Sequence, residues 1–223
     1  MKTNYSEFYE KKLDEFGPTT KVLWNSSQSQ IQRFQAMKGI LDYYNRDYTL
    51  LDVGCGFGDL YNYLIHSDMI PKLYVGIDGT LKLIKIAESR HKSNIAKFIH
   101  IDFQDFYFNM MNQESASKHH RIPSKFDFVF ASGLFGLYYH KDWDEHVGYV
   151  LEMCKQMFEI ADVGVAVNFL SSFSPNSNDC ESIKTSAYHY PPDLLHDIMV
   201  EVTTKVVLKH DYRKNDFTIY LLK

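Results

Sequence analysis

Apolar positions follow two different periods along this chain, and the changes of period divide it into elements. Between residues 30 and 44, Ile31, Phe34, Met37, Ile40, Leu41 and Tyr44 recur at helical spacing, which predicts an amphipathic helix. The stretch Asn25-Ser26-Ser27-Gln28-Ser29 ahead of it is rich in residues that cap helix N-termini. Farther upstream, Phe8, Leu13 and Phe16 fall on one helical face before Gly17-Pro18 breaks the run. From residue 49 onward, short apolar runs alternate with helical periods. Strands are expected at Thr49–Val53, Leu73–Ile77, Lys97–Ile101, Phe126–Ala131 and Gly164–Leu170, and helices at Asp59–His66, Leu81–Arg90 and Trp143–Ile160. Residues 109–125 read as a polar interruption and 171–182 as a Ser/Asn/Pro-rich loop. Pro191–Met199 opens with prolines suited to a helix entrance. Lys205–His210 and Phe217–Leu222 alternate on either side of a short polar turn, a hairpin pattern.

Strands separated by helical segments imply right-handed crossovers and a mainly parallel sheet covered on both faces. The expected fold class is therefore α/β, a three-layer α/β/α sandwich around seven strands that ends in an antiparallel hairpin. Residues 1–48 form an N-terminal helical extension or cap, and residues 49–223 one compact domain. No internal repeat is visible.

Composition narrows the function classes. At 223 residues the chain suits one domain with a substantial core, and 45% hydrophobic with 23% charged residues is ordinary for a soluble globular protein. Its 16 Tyr and 16 Phe supply core rings first and pocket walls second. A net charge of −4 without a long basic run argues against a dedicated nucleic-acid binder. Cys55, Cys154 and Cys180 are sparse and lack metal-ligand spacing, and the adjacent pair His119-His120 has no completing partner, so no metal site is expected. No signal-like segment or ~20-residue apolar span occurs, so a cytoplasmic protein without membrane association is expected. A homodimer is compatible with the sequence but not derivable from it.

The chemistry concentrates at residues 50–60, Leu-Leu-Asp-Val-Gly-Cys-Gly-Phe-Gly-Asp-Leu, where an apolar strand runs through glycines into a helix. Such a loop lets a ligand approach the main chain, and the helix that follows offers unpaired N–H groups. A dinucleotide fingerprint needs a glycine where Asp59 stands, and a carboxylate there would repel pyrophosphate. A phosphate-cradling P-loop is excluded because no Lys-Ser/Thr pair follows. The turn suits a ligand with a cation and a ribose. Asp78, twenty residues after Gly58, sits where an acid accepts from ribose hydroxyls, with a helix N-cap as its alternative role.

Leu51-Asp52-Val53-Gly54-Cys55-Gly56-Phe57-Gly58 resembles the first motif of the class I S-adenosylmethionine-dependent methyltransferases. The resemblance spans roughly residues 30–223 and implies a seventh strand inserted antiparallel beside the sixth. It implies S-adenosylmethionine as cofactor, with S-adenosylhomocysteine as product. Carried over residue by residue, it puts Asp52, Gly54, Cys55, Gly56 and Asp59 on the first loop and Asp78 with Gly79 at the ribose. Asp102 and Phe103, after the third strand, correspond to the adenine site, with Asp105 as a nearby competitor. Ser132, Gly133 and Leu134, after the fourth strand, would pass beneath the methionine part. Arg33 is a candidate for the cofactor carboxylate, or else a solvated helix arginine. His140 and His189 are the candidate general bases, and Tyr5, Tyr9, Trp24 and Phe173 candidate aromatic walls.

The segment after the fourth strand lacks the Asn/Asp-Pro-Pro-Tyr/Phe signature of methyltransferases acting on adenine or glutamine nitrogen. The expected reaction is methyl transfer to an oxygen or nitrogen of a small-molecule acceptor, by in-line displacement. Alternatives are an RNA or protein methyltransferase and a non-catalytic cofactor-binding subunit of the same fold. A dehydrogenase ranks behind these because of Asp59.

Overall fold

A computed structural model of the chain describes residues 5–44, 46–112, 122–137, 142–173, 189–191 and 193–223. Seven strands form one sheet in the order β3-β2-β1-β4-β5-β7-β6. They are β1 (Thr49–Val53), β2 (Leu73–Asp78), β3 (Ala96–His100), β4 (Phe126–Ala131), β5 (Ala161–Leu170), β6 (Val206–Arg213) and β7 (Asp216–Leu222). The first five pair in parallel, and β7 enters antiparallel between β5 and β6. The expected fold class and terminal hairpin are thus observed.

Strand alternation decides which residues face which layer. On β1, Leu50 joins Tyr74, Phe128 and Phe130 in one cluster, while Leu51 joins Val75, Val129 and Ala131 in the other. The first cluster is covered by α2 (Ser27–Lys38), α3 (Asp59–His66) and α4 (Leu81–Arg90), through Phe34, Met37, Leu64 and Ile84. The second is covered by α5 (Phe103–Met111), α6 (Trp143–Glu159) and α7 (Leu194–Glu201), through Phe106, Met153, Met157 and Ile198. Helix α1 (Tyr5–Phe16) lies outside both layers and has no fully buried residue.

Several boundaries differ from the sequence pattern for identifiable reasons. The helix expected through Tyr44 stops at Lys38 and tightens into a 3₁₀ turn, Gly39–Tyr43. Gly39 packs against the Tyr220 hydroxyl so closely that a Cβ would lie 2.6 Å from it. Ile31 fits the helical period yet is 50% exposed. The cap is as expected, with Ser26 accepting from the Ser29 N–H at 3.1 Å. On α1 the face turned inward carries Tyr9 and Leu13, not Phe8 or Phe16. Helix α5 was not anticipated, although Phe103, Phe106 and Met110 supply its buried face at helical spacing. Helix α7 starts three residues beyond Pro191 and runs past Met199.

One buried ion pair fixes α2 to the hairpin. Arg33 donates from Nε (3.0 Å) and Nη2 (2.7 Å) to Oδ1 of Asp216, which is 0% exposed. Arg213 contacts the other oxygen of the same carboxylate. Removing one member of such a set leaves uncompensated buried charge. Asp216→Ala should therefore cost about 3–5 kcal/mol in urea unfolding; a loss below about 1 kcal/mol, the value of a surface pair, would show that the pair does not hold the hairpin.

Candidate active site

The carboxyl ends of β1, β2, β3 and β4 open onto one cavity of about 470 Å³. That volume lies within the ~300–1,000 Å³ typical of small-molecule sites. Its wall brings together Asp52, Gly54, Cys55 and Asp59 from the first loop, Asp78 and Gly79 from the second, and Asp102 and Phe103 from the third. Ser132, Gly133 and Leu134 complete it from the fourth strand end. Eleven of the sites named from sequence thus converge, although they are spread from residue 52 to residue 134.

The loop between β1 and α3 owes its shape to glycine. Gly54, Gly56 and Gly58 all have positive φ, at 76°, 54° and 74°. At Gly58 the reason is also spatial, since a Cβ there would meet the Phe98 ring at 2.7 Å. The loop is tied to β2 by main-chain bonds from Gly54 and Cys55 N–H to Ile77 O, at 2.9 and 3.0 Å. Gly56 is not on the cavity wall; its N–H donates to Asp78 Oδ2 at 3.0 Å. Asp78 Oδ1 accepts from the Thr80 N–H at 2.8 Å. Asp78 therefore borders the cavity and bonds the turn before α4, but the N-cap of that helix is Thr80, so the alternative role as N-cap is not seen.

Asp52 is buried at the end of β1 and accepts from the Tyr74 hydroxyl. Burial raises its pKa to about 7, with Asp78 and Asp59 adding to the rise and the Tyr74 bond opposing it. Burial also raises Asp78, against the two amide bonds. The Cys55 thiol is pushed far up by burial and by Asp52 and Asp78, so it stays protonated. Asp59 opens α3, where a carboxylate complements the helix dipole. Gln30 Nε2 donates to it at 2.8 Å, and Arg90 lies 3.6 Å away.

Arg33 departs from the expectation placed on it. It is absent from the wall, and its donors go to Asp216 while its guanidinium covers the Trp24 ring at 4.9 Å. Trp24 does line the cavity and presses on Gly133, where a Cβ would come within 2.9 Å of the indole. Tyr5 and Tyr9 also line it, but Phe173 is exposed and stacks near His210. His189 lies beside Tyr190 at the end of β5 and is not on the wall. His140, Cys180 and the pair His119-His120 fall outside the described residues. Among the described residues no cluster of three His, Cys, Asp or Glu is placed to hold a metal, and no helix is long and apolar enough to cross a membrane.

Sequence reasoning missed Ser6, Gln30 and Tyr149 on the wall. Each sits on a helix outside the strand ends, and nothing in its local pattern marks it. Also missed was the buried His146 of α6, whose Nε2 meets the Tyr190 hydroxyl while that hydroxyl donates to Phe135 O at 2.9 Å. This link anchors the chain after β5 to the chain after β4.

A family model described as a methyltransferase domain matches residues 44–178. The chain belongs to this methyltransferase family. Its fold is that of the class I, Rossmann-like S-adenosylmethionine-dependent enzymes. Rv1506c of Mycobacterium tuberculosis, which carries a methyltransferase name, is 27% identical over 181 residues, covering 79% of this chain and 93% of that protein. Among solved structures, the N-methyltransferase NodS from Bradyrhizobium japonicum, in complex with S-adenosylhomocysteine, has a TM-score of 0.61 at 13% identity. The alignment covers 99% of both chains. Magnesium protoporphyrin IX methyltransferase from Synechocystis, with bound S-adenosylhomocysteine, has a TM-score of 0.58 at 14% identity, covering 96% of this chain and 93% of that one.

The raised Asp52 pKa makes the methyltransferase pH-sensitive in a defined direction. Its carboxyl titrates at ~3.9 when unfolded and at about 7 when folded, so the fold favours the proton. This contribution to stability is complete below about pH 4 and is lost as the pH rises through about 7. Urea unfolding should show stability falling from about pH 5 to about pH 8, and the fall should be smaller in Asp52→Asn. An identical slope in the variant would mean that Asp52 ionises normally.

Proposed function

We propose that this methyltransferase binds S-adenosylmethionine in the cavity and transfers its methyl group to an oxygen or nitrogen of a small-molecule acceptor. One observation carries the reading. Asp52, Asp59, Asp78, Asp102 and Asp105 line the cavity, and no Lys, Arg or His does so among the described residues. Such a wall disfavours pyrophosphate and favours a ligand with cationic centres, ribose hydroxyls and an exocyclic amine. Ser132 supports the fit, since it lines the cavity and its buried Oγ has no hydrogen-bond partner among the described residues. Buried polar atoms are seldom left so unless something else supplies a partner.

When bound, the cofactor supplies a methyl group activated by the positive sulfur. The protein's residues then have the work of positioning and desolvation. In this reading Asp78 accepts from the ribose hydroxyls, and Asp102 accepts from the adenine amine beside the Phe103 ring. Gly133 and Leu134 leave room under the methionine chain, and Asp52 complements its ammonium group. With Arg33 engaged by Asp216, the cofactor carboxylate falls to neutral donors on the wall. A nucleophile approaching in line with the departing sulfur completes the transfer. An amine acceptor that is already neutral needs no base, whereas a hydroxyl would draw on one, with His189 and His140 as the candidates from the sequence.

The small-molecule reading rests on the acidic net charge and on a neighbour in fold whose name specifies magnesium protoporphyrin IX. Calorimetric titration should show S-adenosylhomocysteine binding that Asp78→Ala weakens at least tenfold, about 1.4 kcal/mol. Binding of NAD instead would overturn the cofactor reading. Incubation with methyl-labelled S-adenosylmethionine and a metabolite extract should label small molecules. Label confined to large RNA or protein would overturn the acceptor class.

A further inference from the structure

We propose that α1 is a working part of the cofactor site, and that the Tyr9 hydroxyl donates to the ribose beside Asp78. The proposal rests on the reading that the cavity holds an S-adenosyl ligand.

Helix α1 precedes every motif and buries none of its residues completely. It nevertheless contributes Tyr5, Ser6 and Tyr9 to the cavity wall. Polar contacts and apolar packing both hold it there. Ser6 Oγ donates at 3.0 Å to the carbonyl of Gly79, the residue that follows Asp78. Lys82 reaches Glu10 at 3.1 Å and Asp14 at 3.6 Å. Exposed pairs of this kind contribute little to stability. Apolar attachment comes from Tyr9 and Leu13, which pack against Val22, Phe57 and Leu83.

Hydrogen-bond bookkeeping picks out Tyr9. The carboxylate of Asp78 already accepts the main-chain N–H groups of Thr80 and Gly56, with the Thr80 side chain bonding it as well, and has acceptor capacity beyond these. A carboxylate can accept from ribose hydroxyls but cannot donate to them, so the ribose oxygens need a separate donor. The Tyr9 phenol is enclosed at the cavity, feels the charge of Asp78, and has no hydrogen bond to any described residue. Burial, then Asp78, then Tyr5 raise its pKa, which keeps it a donor.

The test uses calorimetry on the full chain with S-adenosylhomocysteine and with its analogue lacking both ribose hydroxyls. Tyr9→Phe keeps the ring and its packing. It should weaken S-adenosylhomocysteine about 3- to 10-fold, the weight of one hydrogen bond. The same variant should change the affinity of the dihydroxy-deficient analogue by less than about twofold. Lys11→Ala, on the exposed face of α1, should leave both affinities unchanged. Equal losses for the two ligands would reduce Tyr9 to packing and overturn the proposal, as would no loss for either. A wild-type chain that binds no S-adenosylhomocysteine would overturn the cofactor reading itself. Binding by the wild type with an indifferent Tyr9→Phe would overturn only the role of α1.

Discussion

The site depends on the bonds that the Asp78 carboxylate makes to two main-chain amides. One, from Gly56, draws the glycine loop of β1 toward the end of β2; the other, from Thr80, shapes the turn into α4. Through them a single side chain sets the spacing between two neighbouring strand ends. The positive φ angles of the loop are the backbone's accommodation to that spacing. Because Asp78 also borders the cavity, the group that organises the loop is also part of the cavity wall.

This economy has an electrostatic consequence. Asp52, Asp59 and Asp78 are close enough for the pKa of Asp52 to rise under the influence of the other two, in addition to burial. Tyr74, the amides of Gly56 and Thr80, and the amide of Gln30 each relieve part of the strain. A cationic ligand would relieve more of it. Elsewhere the chain neutralises its buried acid internally: Asp216 is met by Arg33 and Arg213 and is not offered to the cavity.

Much of this was legible in the sequence because strand ends in a parallel sheet converge. A glycine loop after β1 and acids after β2 and β3 lie far apart in sequence, yet a parallel register brings their carboxyl ends to one edge. The same logic placed Ser132, Gly133 and Leu134. Arg33 was harder to read. A helix arginine of suitable position could face either the cavity or the hairpin, and only the partner Asp216, 183 residues away, decides between them. Helix α5 was overlooked because its apolar face is short and runs into the polar stretch 113–121.

By itself the sequence determined the alternation of strand and helix, the glycine loop and the acids at successive strand ends. These are local patterns whose consequences follow from parallel pairing. Tertiary structure decided which side of each helix faces the cavity, and so placed Ser6, Tyr9, Gln30 and Tyr149 on its wall while withdrawing Arg33 from it. The physical reason is that the orientation of a helix is set by packing against distant elements. Periodicity marks the face that is buried without naming what covers it.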